Sequence, residues 1–466
     1  LTTTSLPKYK LFAVGAMGTF MATLDGSILN VSLPSIAADM NADVDLVAWV
    51  VLAYSLTMVS LLIPFGAWTA RRGYGFAYRF GYIMFILGST MCALSDSIYF
   101  LVVSRVIQAT GTAMFASVGP GMVTTIFPPE ERGKGIGLMV MMVSAGFMAG
   151  PPLGGFILSF ADWHTIFLIN LPVGAIGLAM TLRYFSRLTQ PLHTRKTNIL
   201  SAVFSAAGMV AGIMALSLVD ELGFADMRLY GLLLLSLTLL TIFFWREARC
   251  ETTLIGLGIF RNWQFSTSLA AQLAHFAGLS GVLVLLPFYL ERVRGYEPKQ
   301  VGLYLVILPI MMFIVAPLSG RLSDRIGFKL LTGSGMAILG VGLWLLLGLN
   351  ADTTSTYIIS SLVVIGVGVG MFTTPNSSAL MGAVTEKNRA VASGIMATNR
   401  NIGMSVGVAL GTAIFSHFQS LHTETAGFAA AFAESLKPVM YVAMGWVALA
   451  LIFSLVRFNR QPRLMD

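Results

Sequence analysis

Charge is what this sequence has least of. Only 11% of its 466 residues are Asp, Glu, Lys or Arg, against 56% hydrophobic, and the mean hydropathy is +0.80. That balance excludes a water-soluble domain. Cysteine is nearly absent. Cys92 and Cys250 are far apart, which excludes a disulfide framework and a cysteine metal site. The five histidines are scattered and offer no catalytic constellation, and His417 and His422 are too loosely spaced for a metal site. No G-x-x-x-x-G-K-[ST] stretch occurs, which excludes an ATP-driven pump of that type. The glycine string GVGVG, 366 to 370, lies inside an apolar run and reads as helix packing. No loop is long enough to hold a soluble domain.

What is present is a succession of apolar runs near 20 residues long, the mark of a polytopic α-helical membrane protein. Fourteen spans are predicted, at 9–33, 48–70, 79–97, 98–124, 135–160, 165–184, 198–219, 229–245, 264–290, 300–322, 329–348, 356–381, 391–416 and 437–457. The 47 glycines suit this class, because they let membrane helices approach closely. Of the 29 Lys and Arg, 22 fall on one side of the predicted membrane and five on the other, with Arg105 and Arg400 inside spans. This bias places both termini in the cytoplasm and demands an even span count. The net charge of +8 is therefore a topology signal, with no nucleic-acid partner implied. The N-terminal LTTTSLPKYK begins without Met and is followed by no small-residue cleavage site, so the expectation is a retained first span and a trimmed initiator end.

An internal repeat sits in two short turns on the basic side. GAWTARRGYGF, 66 to 76, and GRLSDRIGFKL, 320 to 330, share G-x-x-x-[A/D]-R-x-G. Gly66, Arg71 and Gly73 thus match Gly320, Arg325 and Gly327, with Ala70 standing opposite Asp324. The glycines permit a tight turn and close helix approach, and the arginine suits open carbonyls at a helix end. Internal repeats of this kind mark secondary transporters. Because spans two and ten correspond, the offset is eight spans. Spans seven and eight, preceded by the basic SRLTQPLHTRK, are then an insertion between two six-helix bundles. The expected organisation is residues 1–185, a linker with two further spans at 186–260, and residues 261–466.

Within the spans, LDGSILNVSLP (24 to 34) carries the one deep acid, Asp25. Taking Leu33 as the outer end of span one and Ile98 as the outer start of span four, Asp25 and Arg105 both lie about 10–12 Å deep. Two readings stand open: a static buried ion pair, or a switchable proton site. Arg400, between Asn399 and Asn401, either meets an anionic group of a substrate or bonds carbonyls around Pro375 and Asn376. Gln272 and His275 share a helical face, with His275 either packed or titrating. Asn30, Tyr54, Thr57 and Gln108 are further candidates to line a substrate cavity, as are Phe115, Met141, Asn376 and Asn399. In span five, Gly146, Gly150, Gly154 and Gly155 recur near one face around Pro151 and Pro152, a bent and smooth surface for packing or for coupling.

These motifs resemble those of the major facilitator superfamily and its fourteen-span drug:proton antiporter branch. LDGSILNVSLP resembles the branch's first-span signature, and the two G-x-x-x-[A/D]-R-x-G turns resemble the superfamily's turn and its second copy. SRVIQATGTAM, 104 to 114, and GFMAGPPLGG, 146 to 155, resemble the fourth- and fifth-span patterns. NLPVG, 170 to 174, and NRNIGMSVGVALG, 399 to 411, are also similar to that branch. Departures are Ala70 in place of an acid, Ala109 in place of a glycine, and Asn198 where an acid is common. The resemblance implies two six-helix bundles plus two inserted helices. It implies no enzyme activity and no cofactor beyond a proton gradient. It implies a proton-coupling role for Asp25 with Arg105, and a rocking contact between the bundles at the span-five glycines. The implied activity is export of a small amphipathic substrate, as multidrug efflux, with a lipid or metabolite exporter of the same fold as the alternative. The implied setting is the lipid of a bacterial cytoplasmic membrane, as a monomer, with a periplasmic adaptor in a Gram-negative cell.

Overall fold

The computed structural model describes residues 8–42, 44–185, 198–218, 226–250, 253–423 and 428–456. The SRLTQPLHTRK linker lies outside them. Among the described residues there is no strand, and fourteen helices are long and apolar enough to cross a membrane. They are α1 (Lys8–Asp39), α2 (Val44–Arg72), α3 (Tyr74–Ala93), α4 (Ile98–Ile126), α5 (Arg132–Leu158), α6 (Thr165–Tyr184) and α7 (Ile199–Ser217). The remainder are α8 (Met227–Arg249), α9 (Trp263–Phe288), α10 (Lys299–Ile326), α11 (Phe328–Leu346), α12 (Ser355–Gly382), α13 (Arg389–Thr423) and α14 (Phe428–Leu455).

The span count agrees with the sequence, but several ends differ for identifiable reasons. Helix α1 does not stop at Leu33. It continues through Pro34 to Asp39, because Ile36 is fully buried in an apolar cluster with Trp163 and Phe167. Trp163 Nε1 also donates to Asp39 Oδ2 at 2.9 Å, which ties down the last turn. Proline forfeits one helix bond, and these contacts offset the loss. Helix α3 begins at Tyr74 rather than residue 79, because one residue suffices to turn the chain. Gly73 adopts φ 84°, ψ 161° between α2 and α3. Gly327 adopts φ 85°, ψ 164° between α10 and α11. A side chain is strained at either position, and the near-identity of the angles makes the repeat a repeat of structure.

Helices α1–α6 pack with one another, as do α9–α14. The inserted pair is not a spacer between the halves. Helix α7 lies across α2 and α13, and α8 is held mainly by α7. Ser236 of α8 donates to the Gly208 carbonyl of α7 at 2.8 Å. At the end of α8 the buried Glu247 accepts from the amides of Leu254 and Ile255 at 2.7 and 2.9 Å, fixing the lead into α9. An acid in a helix's last turn runs against the helix dipole, and these amides supply the compensation.

The two halves meet at the basic face, the end bearing the repeated turns. One apolar cluster there spans both halves, joining Phe65, Val123 and Ile136 to Leu380, Val391 and Ile395. Toward the opposite face each half keeps its own cluster. The closest approaches occur at glycines. A Cβ on Gly66 would sit 2.8 Å from the Ala390 carbonyl, and one on Gly394 would sit 2.6 Å from the Leu62 carbonyl. Across the other seam, a Cβ on Gly137 would sit 2.6 Å from the Ala316 carbonyl, and Gly320 faces Gly133 with no room for either. Asp324 completes this seam: its Oδ1 accepts from the Gly133 amide at 2.8 Å and its Oδ2 from the Lys134 amide at 2.9 Å, capping the start of α5.

Gly320→Leu is expected to force α5 and α10 apart at the basic face, at an overpacking cost of about 1–3 kcal/mol to the sealed form. Spin labels placed on the two helix ends would report longer distances than in the wild type; unchanged distances would contradict this seal.

Candidate transport site

Asp25 lies on the buried stripe of α1 formed by Met21, Leu24, Ile28, Leu29, Ser32 and Ile36, and is 3% exposed. Arg105 and Gln108 share the buried stripe of α4 with Leu101 and Thr112, and Arg105 is 1% exposed. Arg105 Nη1 donates to Asp25 Oδ2 at 2.6 Å. Gln108 Nε2 donates to Asp25 Oδ1 at 2.8 Å, while its Oε1 accepts from Arg105 Nη1. Asn170, from α6, donates to the same Asp25 Oδ1 at 2.8 Å. Ser89 of α3 accepts from Gln108 Nε2 at 2.8 Å. The Tyr54 ring covers the guanidinium at 4.0 Å from Arg105 Cζ, and its hydroxyl bonds Thr112 Oγ1 at 2.7 Å. Five helices thus converge on one ion pair, and both carboxylate oxygens have donors. A charge in hydrocarbon requires such a shell.

The sequence pointed to Asp25, Arg105 and Gln108, but it treated Gln108 and Tyr54 as cavity lining, whereas both belong to the ion-pair shell. Asn170 and Ser89 were missed. Asn170 carried a usable signal, being an amide early in an apolar span. Asn30 is exposed rather than gathered into the network, because five residues of helix turn it about 140° away from Asp25. Phe115 is 1% exposed and packs among Tyr78, Tyr82 and Phe85, so it is core of the first half rather than cavity lining. Thr57 and Met141 are half-buried on α2 and α5.

The span-five glycines also differ from expectation. Gly146 and Gly150 face Thr23 and Ser27 of α1, within the same half, and a Cβ on Gly154 would sit 3.5 Å from Ile28. A Cβ on Gly155 would point into open space, and Pro151 and Pro152 are exposed. The contact between halves falls earlier on α5, at Gly133 and Gly137, which the sequence reading did not single out. The proline pair and the small face invite packing, but only the three-dimensional arrangement names the partner.

The second half carries no matching charge. Gly111 approaches Gly81 and Phe85, and Gly368 approaches Gly335 and Leu339, which sets the register of the repeat. In that register Met114-Phe115 matches Met371-Phe372, and Arg105 and Gln108 match Leu362 and Ile365, both buried. Leu33-Pro34 matches Leu286-Pro287, which sets Gly278 opposite Asp25. The polar groups of this half bond locally. Asn399 Nδ2 donates to the Leu269 carbonyl at 2.9 Å and to Gln272 Oε1 at 3.1 Å. Asn376 Nδ2 donates to the Ser268 carbonyl at 3.1 Å. His275 is fully buried between the rings of Phe276 and Phe372, and neither ring nitrogen has a hydrogen-bond partner among the described residues. Arg400 is half-buried and engages no acid or carbonyl among the described residues, including those around Pro375 and Asn376.

Removing Arg105 alone leaves its carboxylate uncompensated. Arg105→Leu is expected to lower stability by about 3–5 kcal/mol, with the double variant Asp25→Leu/Arg105→Leu recovering most of it. Detergent melting curves of the two would check this; equal melting temperatures would remove the ion pair from its central place.

Comparisons with known proteins place this geometry. The family model described as Major Facilitator Superfamily matches residues 15–408. A riboflavin transporter of Clostridioides difficile, RibZ, is 33% identical over 414 residues, covering 88% of each chain. A multidrug resistance protein of Mycobacterium tuberculosis, Stp, is 30% identical over 401 residues, covering 86% of this chain and 74% of that one. Among solved structures, the human organic anion transporter MFSD10 superposes with a TM-score of 0.66 at 14% identity, covering 95% of this chain and 100% of that one, a likeness of fold alone. With the matched helices, the repeated turns and the two-half architecture, this chain belongs to the Major Facilitator Superfamily.

Proposed function

We propose that this membrane transporter is a proton-driven antiporter of the drug:proton type, exporting amphipathic or hydrophobic compounds as in multidrug efflux. The superfamily fold is that of a secondary transporter working by alternating access, not of an enzyme. The observation that carries the proton coupling is the sealed Asp25–Arg105 pair at 2.6 Å, the one acid–base pair of the described residues buried deep in the spans. Burial disfavours a carboxylate and a guanidinium favours it. A change in hydration or in the Asp25–Arg105 distance therefore shifts the proton affinity of the site. A proton arriving on Asp25 Oδ2 removes the counter-charge from Arg105 and loosens α1 from α4. Helix α1 in turn backs α5 through Thr23 and Ser27, and α5 carries the Gly133 and Gly137 seam. Protonation and the basic-face seal are thus two ends of one packed path.

The basic face is assigned to the cytoplasm by the excess of Lys and Arg. The conformation is then outward-facing, sealed inside, with α1 and α9 not packed together. The relative named for multidrug resistance supports drug export. The relative named for riboflavin transport favours the second reading, a metabolite exporter with the same coupling.

In vesicles with an imposed pH gradient, Asp25→Asn is expected to reduce gradient-driven transport to the level of protein-free vesicles, while substrate counterflow without a gradient persists. Gradient-driven transport at the wild-type rate in Asp25→Asn would refute the proton-coupling role. Asp324→Ala, which strips the cap from α5, should weaken the inner seal by about 0.5–2 kcal/mol. The expected sign is a larger inward-facing population in spin-label distance distributions, with Asp25→Asn counterflow unaffected in kind.

A further inference from the structure

We infer that Arg400 is the recognition cation for an oxyanion group carried by an otherwise apolar substrate. The inference rests on the transport reading above and names the charge of its cargo. Arg400 sits eleven residues into α13, about 16 Å along the helix and well inside the membrane. Its two neighbours are already committed. Asn399 bonds to α9, and Asn401 Nδ2 donates to the Ala397 carbonyl at 2.8 Å. The guanidinium has no acid, carbonyl or aromatic partner among the described residues.

The face that carries Arg400 runs between the halves. Residues 393, 397, 400 and 404 follow one another at helical spacing. Ser393 is fully buried and Ala397 nearly so, Arg400 is half-buried, and Met404 is 42% exposed. Burial is greatest at the end where the halves are sealed, and exposure grows toward the end where they separate. The first-half helices that meet α13 are α2 and α4. An unpaired cation at this depth is not tolerated against lipid and belongs to a cavity that admits a counter-charge.

The other charges set the sign of that cavity. Asp25 is consumed by Arg105, Gln108 and Asn170 and is 3% exposed. Glu247 and Asp324 are bound to backbone amides at helix ends. None of these three acids is left to neutralise Arg400, and a bare guanidinium attracts anions and repels lipophilic cations. The planar fork of an arginine matches a carboxylate or a phosphate. The shared chemistry is one oxyanion on an apolar body, whether a free amphiphilic acid or an anionic lipid headgroup.

The test compares dodecanoate with dodecyltrimethylammonium, which share a tail and differ in charge. Radiolabelled ligands would be bound to purified protein in phosphatidylcholine nanodiscs with no pH gradient. The wild type should bind dodecanoate about tenfold more tightly than the cation, Arg400→Gln should lose that preference without weakening cation binding, and Arg400→Lys should keep part of it. Matching melting temperatures would confirm that the variants fold. Phosphatidylglycerol displacing dodecanoate from the wild type but not from Arg400→Gln would support a headgroup as the source; no displacement would support a free acid. Equal binding by Arg400→Gln, or a wild-type preference for the cation, would overturn the proposal. A wild type that prefers the anion yet shows no gradient-driven transport would instead sink the proton-coupled reading and leave this one standing.

Discussion

A carboxylate and a guanidinium facing each other in hydrocarbon organise the first half of this protein. Neither charge is tolerable there alone, because water is excluded and the surrounding apolar side chains offer no hydrogen bond. Their pairing draws donors from α4 and α6, a hydroxyl from α3 and an aromatic face from α2, so five helices are registered by one site. Such a site costs more to build than an apolar core of the same volume. Its presence in one half only, with Leu362, Ile365 and Gly278 at the matching positions of the other, separates a half organised around a charge pair from a half that is apolar at those positions.

The closure between the halves obeys a different physics. It uses backbone approaching backbone at Gly66, Gly394, Gly133, Gly137 and Gly320, with a single carboxylate cap at Asp324. Contacts of this kind are close but few in strong bonds, so they can be broken and remade within a transport cycle. The two seams are unequal. Asp324 caps α5, whereas the matching Ala70 offers no carboxylate to the start of α13, where Arg389 Nη1 instead reaches Thr125 Oγ1 at 3.4 Å. The inserted α7 lies against this second seam, touching α2 and α13. Added helix surface accompanies the seam that lacks the cap.

Much of this was legible in the sequence because the bilayer imposes strong local rules. Apolar run length sets the helices, and the charge imbalance among the loops demands an even number of them. A lone acid inside a span announces a partner, and Arg105 was identifiable by depth even though α1 runs on past Leu33 to Asp39. Helix ends were less legible. Pro34, Gly73 and Gly327 all look like terminators, yet Pro34 is overridden by the packing of Ile36, while the two glycines turn the chain in one residue.

By itself the sequence determined that this chain carries fourteen membrane-spanning helices, that one turn motif recurs in its two parts, and that Asp25 is out of place without a cation. Those facts follow from composition, period and transfer energy, each of which is local. Only the tertiary structure decided who meets whom. Asn170 joins Asp25, Phe115 retires into the core, the span-five glycines turn to α1, and Gly133 and Gly137 hold the seam. Those choices depend on which face of each helix meets which neighbour, and rotation about a helix axis is set by contacts between distant segments rather than by any residue's own preference.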